Sequence, residues 1–172
     1  MTGSEDQVLL IEALRSGRRH WRIGMINGPN MPNLGRRDPA VYGSVESMQE
    51  LERRVANVCE GLGVSLAGSV CSNSEADILG WIHANTADLE GLVVNPAGLT
   101  TFGEATRHAL EESRVPFVEV HFGNIALRHV ESRFTATSAG TCFGLKRHSY
   151  TAAVVALVGA LDAGDVVPGG QP

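Results

Sequence analysis

WRIGMINGPNMPNLGRRDPAVYG, residues 21–43, decides how the rest of the chain is organised. Its first six residues form a short apolar run, Trp21 to Ile26, that reads as a β-strand. A long loop follows, rich in asparagine and proline, with adjacent arginines at 36 and 37 and a tyrosine at 42. After the loop, SVESMQELERRVANVCEGLG (44–63) reads as a helix opened by a Ser44 cap and closed by glycine, and VSLAGSVC (64–71) as a second strand. The unit then repeats. SNSEADILGWIHANTADLE (72–90) starts at a Ser72 or Asn73 cap, sets Ile78, Leu79 and Ile82 on one face, and leads into the continuous apolar strand GLVVN (91–95). TTFGEATRHALEESRV (100–115) is helical, with Thr100 or Thr101 as cap and Glu104 in its first turn, and PFVEVHF (116–122) is strand four. ATSAGTCFG (136–144) is a weak fifth strand, and the last helix runs from about Arg147 to Leu161.

Five strands alternating with helices predict an α/β fold, a doubly wound five-stranded parallel sheet covered on both faces, hence three layers. Ligands in such sheets bind beyond the carboxyl ends of the strands, where the strand order reverses. The polar segments that converge there are the 27–43 loop, Asn95 with the loop behind it, and Glu119 to Asn124. Upstream, EDQVLLIEALRSG (5–17) spaces Val8, Ile11 and Leu14 as an amphipathic helix. The expected partition is an extension helix over 1–21, one catalytic domain over 22–163 and a disordered tail over 164–172.

A chain of 172 residues fits one core. Hydrophobic residues make up 43% and charged residues 19%, and no apolar run approaches the ~20 residues of a membrane helix. A net charge of -5 argues against a general nucleic-acid binder, although RSGRRHWR (15–22) is locally basic. Cys59, Cys71 and Cys142 are odd in number and lack metal-ligand spacing, so they read as buried free thiols of a cytoplasmic protein with no metal site. Acidic residues flank the short apolar patch near the N-terminus, which does not fit a secretory leader.

Arg37 and Tyr42 share a loop of the kind that forms lids. A guanidinium beside a phenol favours the phenolate and so makes a general base. The same residues also serve as a packed ring and two solvated arginines. No phosphate-loop pattern, neither GxxxxGK[ST] nor GxGxxG, follows strand one. Glu119 and His121 stand two apart in PFVEVHF and project from one face of the strand, Val118 and Val120 from the other. A carboxylate there orients an imidazole as a general acid, and both groups are costly inside a covered sheet without a use. Asn30 and Asn95 end strand-plus-turn units, as substrate contacts or as turn formers.

Taken together, NGPNMPNLGRRDPAVYG resembles the NGPNLNxLGxRxPxxYG signature of type II 3-dehydroquinate dehydratases, and SNSEADILGWIHAN, VVNPAGLT and VEVHFGN continue the likeness in the same order. The resemblance implies a flavodoxin-like domain, a homo-oligomer that is a dodecamer built from trimers, a small cyclic hydroxy-acid as substrate, and no metal or organic cofactor. It implies a lyase that dehydrates 3-dehydroquinate to 3-dehydroshikimate by anti elimination. Tyr42 would be the base at C2, supported by Arg37; Asn30 would hold a water on the enolate; His121, oriented by Glu119, would protonate the departing hydroxyl. The backbone at Phe122 and Gly123 would receive the substrate carboxylate, with Asn95 and Thr101 at its hydroxyls.

The chain departs from the pattern at three places. Thr101 stands where the family has a histidine, His108 where it has an aspartate, and Gly123 where it has a serine. The family's arginine beyond strand four is matched to Arg133, since RHSY at 147–150 opens the final helix instead. Changed hydroxyl contacts leave two alternatives standing: a divergent homologue acting on another cyclic hydroxy-acid, and a non-catalytic binding or assembly subunit.

Overall fold

The computed structural model describes residues 18–43, 47–167 and 169. The helix expected over 5–17, the Ser44 cap and part of the tail lie outside the described residues. Five strands, β1 (Arg22–Asn27), β2 (Ser65–Cys71), β3 (Gly91–Asn95), β4 (Phe117–His121) and β5 (Gly140–Phe143), form one sheet. The helices are α1 (Pro39–Tyr42), α2 (Met48–Gly61), α3 (Glu75–Asn85), α4 (Glu104–Ser113) and α5 (His148–Ala163). Every pairing is parallel and the order is β2-β1-β3-β4-β5, the flavodoxin-like doubly wound arrangement.

The layering follows from strand alternation. On one face Ile23, Met25, Val93, Val118 and Val120 pack against Leu51, Val55 and Cys59 of α2 and the Val154, Leu157 and Leu161 stripe of α5. On the other, Ile26, Leu92, Val94 and Phe117 meet Ile78 and Ile82 of α3 and Ala109 and Leu110 of α4. Strand β3 is buried along its whole length, which is why GLVVN carries no polar alternation before Asn95.

Helix starts differ from the expected caps. Ser47 caps α2 by accepting from the Glu50 amide at 3.1 Å, and Ser74 caps α3 by accepting from the Asp77 amide at 3.3 Å. Ser72 instead donates to Asp77 at 2.7 Å, while the Asn73 carboxamide accepts from the Asn30 amide at 2.8 Å. Helix α4 begins after Gly103 with no side-chain cap. Thr100, expected there, sits in the preceding turn and donates to the Ala97 carbonyl at 2.6 Å. For α2 and α3 the sequence offered more than one Ser or Asn as cap, and the position of the helix on the sheet selected one. All three cysteines are free; Cys59 is buried, but Cys71 and Cys142 are only half-buried, which corrects the expectation that all are interior.

The order reverses between β1 and β3, so their carboxyl ends form the crevice. They approach closely: the Gly28 amide donates to the Asn95 carbonyl at 2.9 Å. A Cβ at position 28 would lie 2.1 Å from the Pro96 carbonyl oxygen, so only glycine fits.

Candidate active site

The loop after β1 is anchored before it becomes functional. Asn30 takes a left-handed backbone conformation, φ 75°, which asparagine tolerates better than other side-chain-bearing residues. Met31 and Leu34, on the six-residue 3₁₀ helix Met31–Arg36, are buried in the β1–α2–α5 core and pin the loop down. Asp38 caps the short helix α1 by accepting from the Ala40 amide at 2.9 Å, Pro39 opens it, and Gly43, φ 78°, closes it. From the β5–α5 connection, Lys146 donates through Nζ to the Ala40 carbonyl at 3.0 Å. These constraints carry Arg37 and Tyr42 to the same place. The Arg37 guanidinium donates through Nη2 to the Tyr42 hydroxyl, and its carbon lies 3.7 Å from the ring centroid. The phenol oxygen therefore carries a direct, charge-assisted contact.

At the end of β4, Glu119 is completely buried and His121 nearly so. His121 Nε2 lies 2.7 Å from Glu119 Oε1, and the Thr135 hydroxyl donates to Oε2 at 2.7 Å. Burial pushes the Glu119 carboxyl up, but hydrogen bonds from His121, Ser132 and Thr135 together outweigh burial and hold it below the usual carboxylate range. An ionised carboxylate thus faces the imidazole and fixes its ring. Nδ1 is the nitrogen left for a ligand.

Both pairs meet at a cavity of about 280 Å³. The lid contributes Asn30, Arg37 and Tyr42; the end of β3 and its turn contribute Asn95, Gly98 and Thr101. The far wall is His121, Phe122 and Gly123, continued by Arg128 and Val130. Phe122 stacks obliquely between two tyrosines, its ring centroid 6.3 Å from Tyr42 and 5.2 Å from Tyr150. The walls hold two arginines and no carboxylate, although the chain is acidic overall. Such a site favours a small anion. Among the described residues no group of three His, Cys, Asp or Glu side chains is placed to hold a metal ion.

Residues 21–158 match the family described as dehydroquinase class II. The chain belongs to that family. It is 35% identical over 147 residues to the 3-dehydroquinate dehydratase of Halothermothrix orenii, covering 83% of this chain and 97% of that one. The corresponding protein of Deinococcus radiodurans is 40% identical over 124 residues, 70% and 82% of the two chains. Among solved structures, the type II dehydroquinase from Propionibacterium acnes superposes with a TM-score of 0.72 at 34% identity, covering 80% of this chain and 97% of its own.

Against the class II dehydroquinase pattern, the structure brings most of the expected residues to one place. Asn30, Arg37, Tyr42, Asn95, Thr101, His121, Phe122 and Gly123 line the cavity, and Glu119 supports His121 from beneath. Two of the expected residues do not line the cavity of this chain. His108 points away along α4, exposed and 3.4 Å from Glu104, because it sits one turn beyond that acid on the solvent side. Arg133 is also outside the cavity: its backbone amide donates to the Thr100 carbonyl at 2.9 Å and its Nε to the Thr101 carbonyl at 3.4 Å. Arg128, at the end of the 3₁₀ turn Ala126–Arg128, lines the wall instead.

Sequence reading also passed over Thr135, which bonds Glu119 from 16 residues away, and Tyr150, which lies wholly buried beneath the site. No spacing rule announces either. The signal for Tyr150 was present in RHSY, a polar opening to an otherwise apolar helix.

Proposed function

We propose that this chain is a 3-dehydroquinate dehydratase, converting its substrate to 3-dehydroshikimate by anti elimination through an enolate, without a metal or organic cofactor. The observation that carries this reading is that an Arg–Tyr pair and a Glu–His pair open on one small cavity whose charged walls are cationic. Tyr42, as phenolate held by Arg37, removes the C2 proton. Charge then moves onto the C3 carbonyl oxygen, where a water held by Asn30 stabilises the enolate. Collapse of the enolate expels the C1 hydroxyl, which leaves as water after protonation by His121, while Glu119 stabilises the imidazolium. The backbone N–H groups of Phe122 and Gly123 receive the substrate carboxylate, with Arg128 adding positive charge on the same wall. Asn95 and Thr101 meet the ring hydroxyls. The catalytic unit is residues 22–163.

The test is ultraviolet absorbance of the purified protein with 3-dehydroquinate, following the conjugated enone carboxylate, with Tyr42→Phe in parallel. Turnover should appear with the wild type and fall by about 10²–10⁴-fold in the variant. A folded wild type that produces no chromophore would overturn the assignment, and full activity in Tyr42→Phe would remove Tyr42 as base.

A second reading, a homologue acting on another cyclic hydroxy-acid, is favoured by one observation: Thr101, which replaces the family's histidine, lies in the cavity wall. Thr101→His should then raise selectivity for 3-dehydroquinate; unchanged selectivity counts against it. We also propose a homo-oligomer, a dodecamer of trimers, in a reducing cytoplasm. Exposed Phe102 and Leu127 support a contact between copies, and three unpaired thiols fit the compartment. Sedimentation of a monomer at micromolar concentration would refute the assembly.

A further inference from the structure

Beneath the cavity, where β1, β3 and α5 come together, three polar side chains are buried in an otherwise apolar core: Asn27, Asn95 and Tyr150, the first and last fully and Asn95 3% exposed. They are linked in series. The Ala97 amide donates to Asn95 Oδ1 at 3.0 Å. Asn95 Nδ2 donates to the Tyr150 hydroxyl at 2.7 Å and lies 3.4 Å from the Met31 sulfur. Tyr150 donates in turn to Asn27 Oδ1 at 2.6 Å.

The direction of this chain has no freedom. A backbone N–H can only donate, so Oδ1 of Asn95 must face Ala97, and its NH₂ must then face Tyr150 and Met31. The phenol accepts from that NH₂, which leaves its single proton for Asn27 Oδ1. Burial also pushes the Tyr150 phenol far up, so it stays a neutral donor across the working range.

We infer that Tyr150 is a positioning residue: it locks the Asn95 carboxamide so that Asn95 can meet a ligand in the cavity only as a hydrogen-bond acceptor, selecting a substrate hydroxyl. With its nitrogen committed to Tyr150 and Met31, Asn95 retains only the second lone pair of Oδ1 for the cavity it lines. The same ring supports Phe122 at 5.2 Å, so one side chain braces both the hydroxyl contact and the carboxylate wall. The choice of substrate here rests on the dehydratase reading, but the lock itself does not.

Tyr150→Phe keeps the ring and removes the link. With 3-dehydroquinate, KM should rise about tenfold, the effect of one lost hydroxyl contact, while kcat stays within about threefold. Against analogues lacking the C4 or the C5 hydroxyl, the wild type should discriminate by about tenfold for one of the two, and the variant should lose most of that discrimination. A fall in thermal stability with KM and analogue selectivity unchanged would make Tyr150 merely structural and overturn the inference. The lock is also read without turnover or substitution: in ¹⁵N-labelled wild type the Asn95 side-chain amide hydrogens should exchange with deuterium far more slowly than those of an exposed asparagine. Exchange at the exposed rate overturns the inference whatever the enzyme assay shows. Slow exchange in a folded protein that neither binds nor converts 3-dehydroquinate would uphold the lock and sink the dehydratase reading instead.

Discussion

Replacing Glu119 by glutamine is the sharpest test of the Glu–His arrangement, because size and shape are kept while the charge goes. In the native protein Oε1 lies 2.7 Å from His121 Nε2, and Oε2 accepts from Thr135 at 2.7 Å, in a position without solvent. A hydrogen bond to a charged group contributes about 1.5–3 kcal/mol and a neutral one about 0.5–1.5 kcal/mol, so Glu119→Gln should cost roughly 1–1.5 kcal/mol at the His121 bond alone. If that loss falls on an imidazolium needed in the transition state, kcat drops by about tenfold, with little change in KM. The sign with pH follows from the depressed carboxyl. A glutamate unfolds to an ordinary value near about 4.3, and its native value lies below that, so its stabilisation is complete above the unfolded value and disappears as pH falls through the native one. Urea unfolding followed by Trp21 and Trp81 fluorescence should therefore separate wild type from variant at about pH 7, with the gap narrowing progressively as pH falls below about 4.3. A stability gap that is constant across this range, or undiminished turnover in the variant, would refute the argument.

Lys146→Met removes the Nζ bond to the Ala40 carbonyl but keeps the stem that packs beside Gly43, so tryptic cleavage after Arg36 or Arg37 should quicken by about 3–10-fold as the lid opens more often; an unchanged rate would make Lys146 an ordinary surface residue. Gly28→Ala places a methyl 2.1 Å from the Pro96 carbonyl oxygen, and thermal denaturation should show a loss of about 1–3 kcal/mol. A variant as stable as wild type would show that the ends of β1 and β3 separate freely. Burial pushes the Cys59 thiol up to about 11, so at about pH 8 only around one molecule in a thousand carries its thiolate. Alkylation at Cys59 should be correspondingly slow and rise about tenfold per pH unit while the fold persists, and rapid labelling at about pH 8 would count against a closed core.

Much of the architecture was legible along the chain because it depends on local periodicity. GLVVN and PFVEVHF read as buried strands since both of their faces are covered, and the observed β3 and β4 differ from those readings by at most a residue at either end. The pairing of Glu119 with His121 was visible for the same reason: a period of two puts them on one face wherever the strand lies. Helix caps were less legible: SNS offered three interchangeable polar side chains, of which docking chose Ser74, and neither threonine of TT caps the helix that follows, which starts after Gly103.

What the sequence by itself determined is the order of strands and helices, the polar loops at strand ends, and the side chains able to exchange protons. The tertiary structure decided which of these face one another across distance in the chain. Thr135 reaches Glu119, Arg128 rather than Arg133 enters the cavity wall, and Tyr150 bridges Asn27 and Asn95, 123 and 55 residues away. The physical reason is that periodicity fixes the direction of a side chain relative to its own element, whereas these partnerships depend on crossover connections that bring separate elements to the same strand ends.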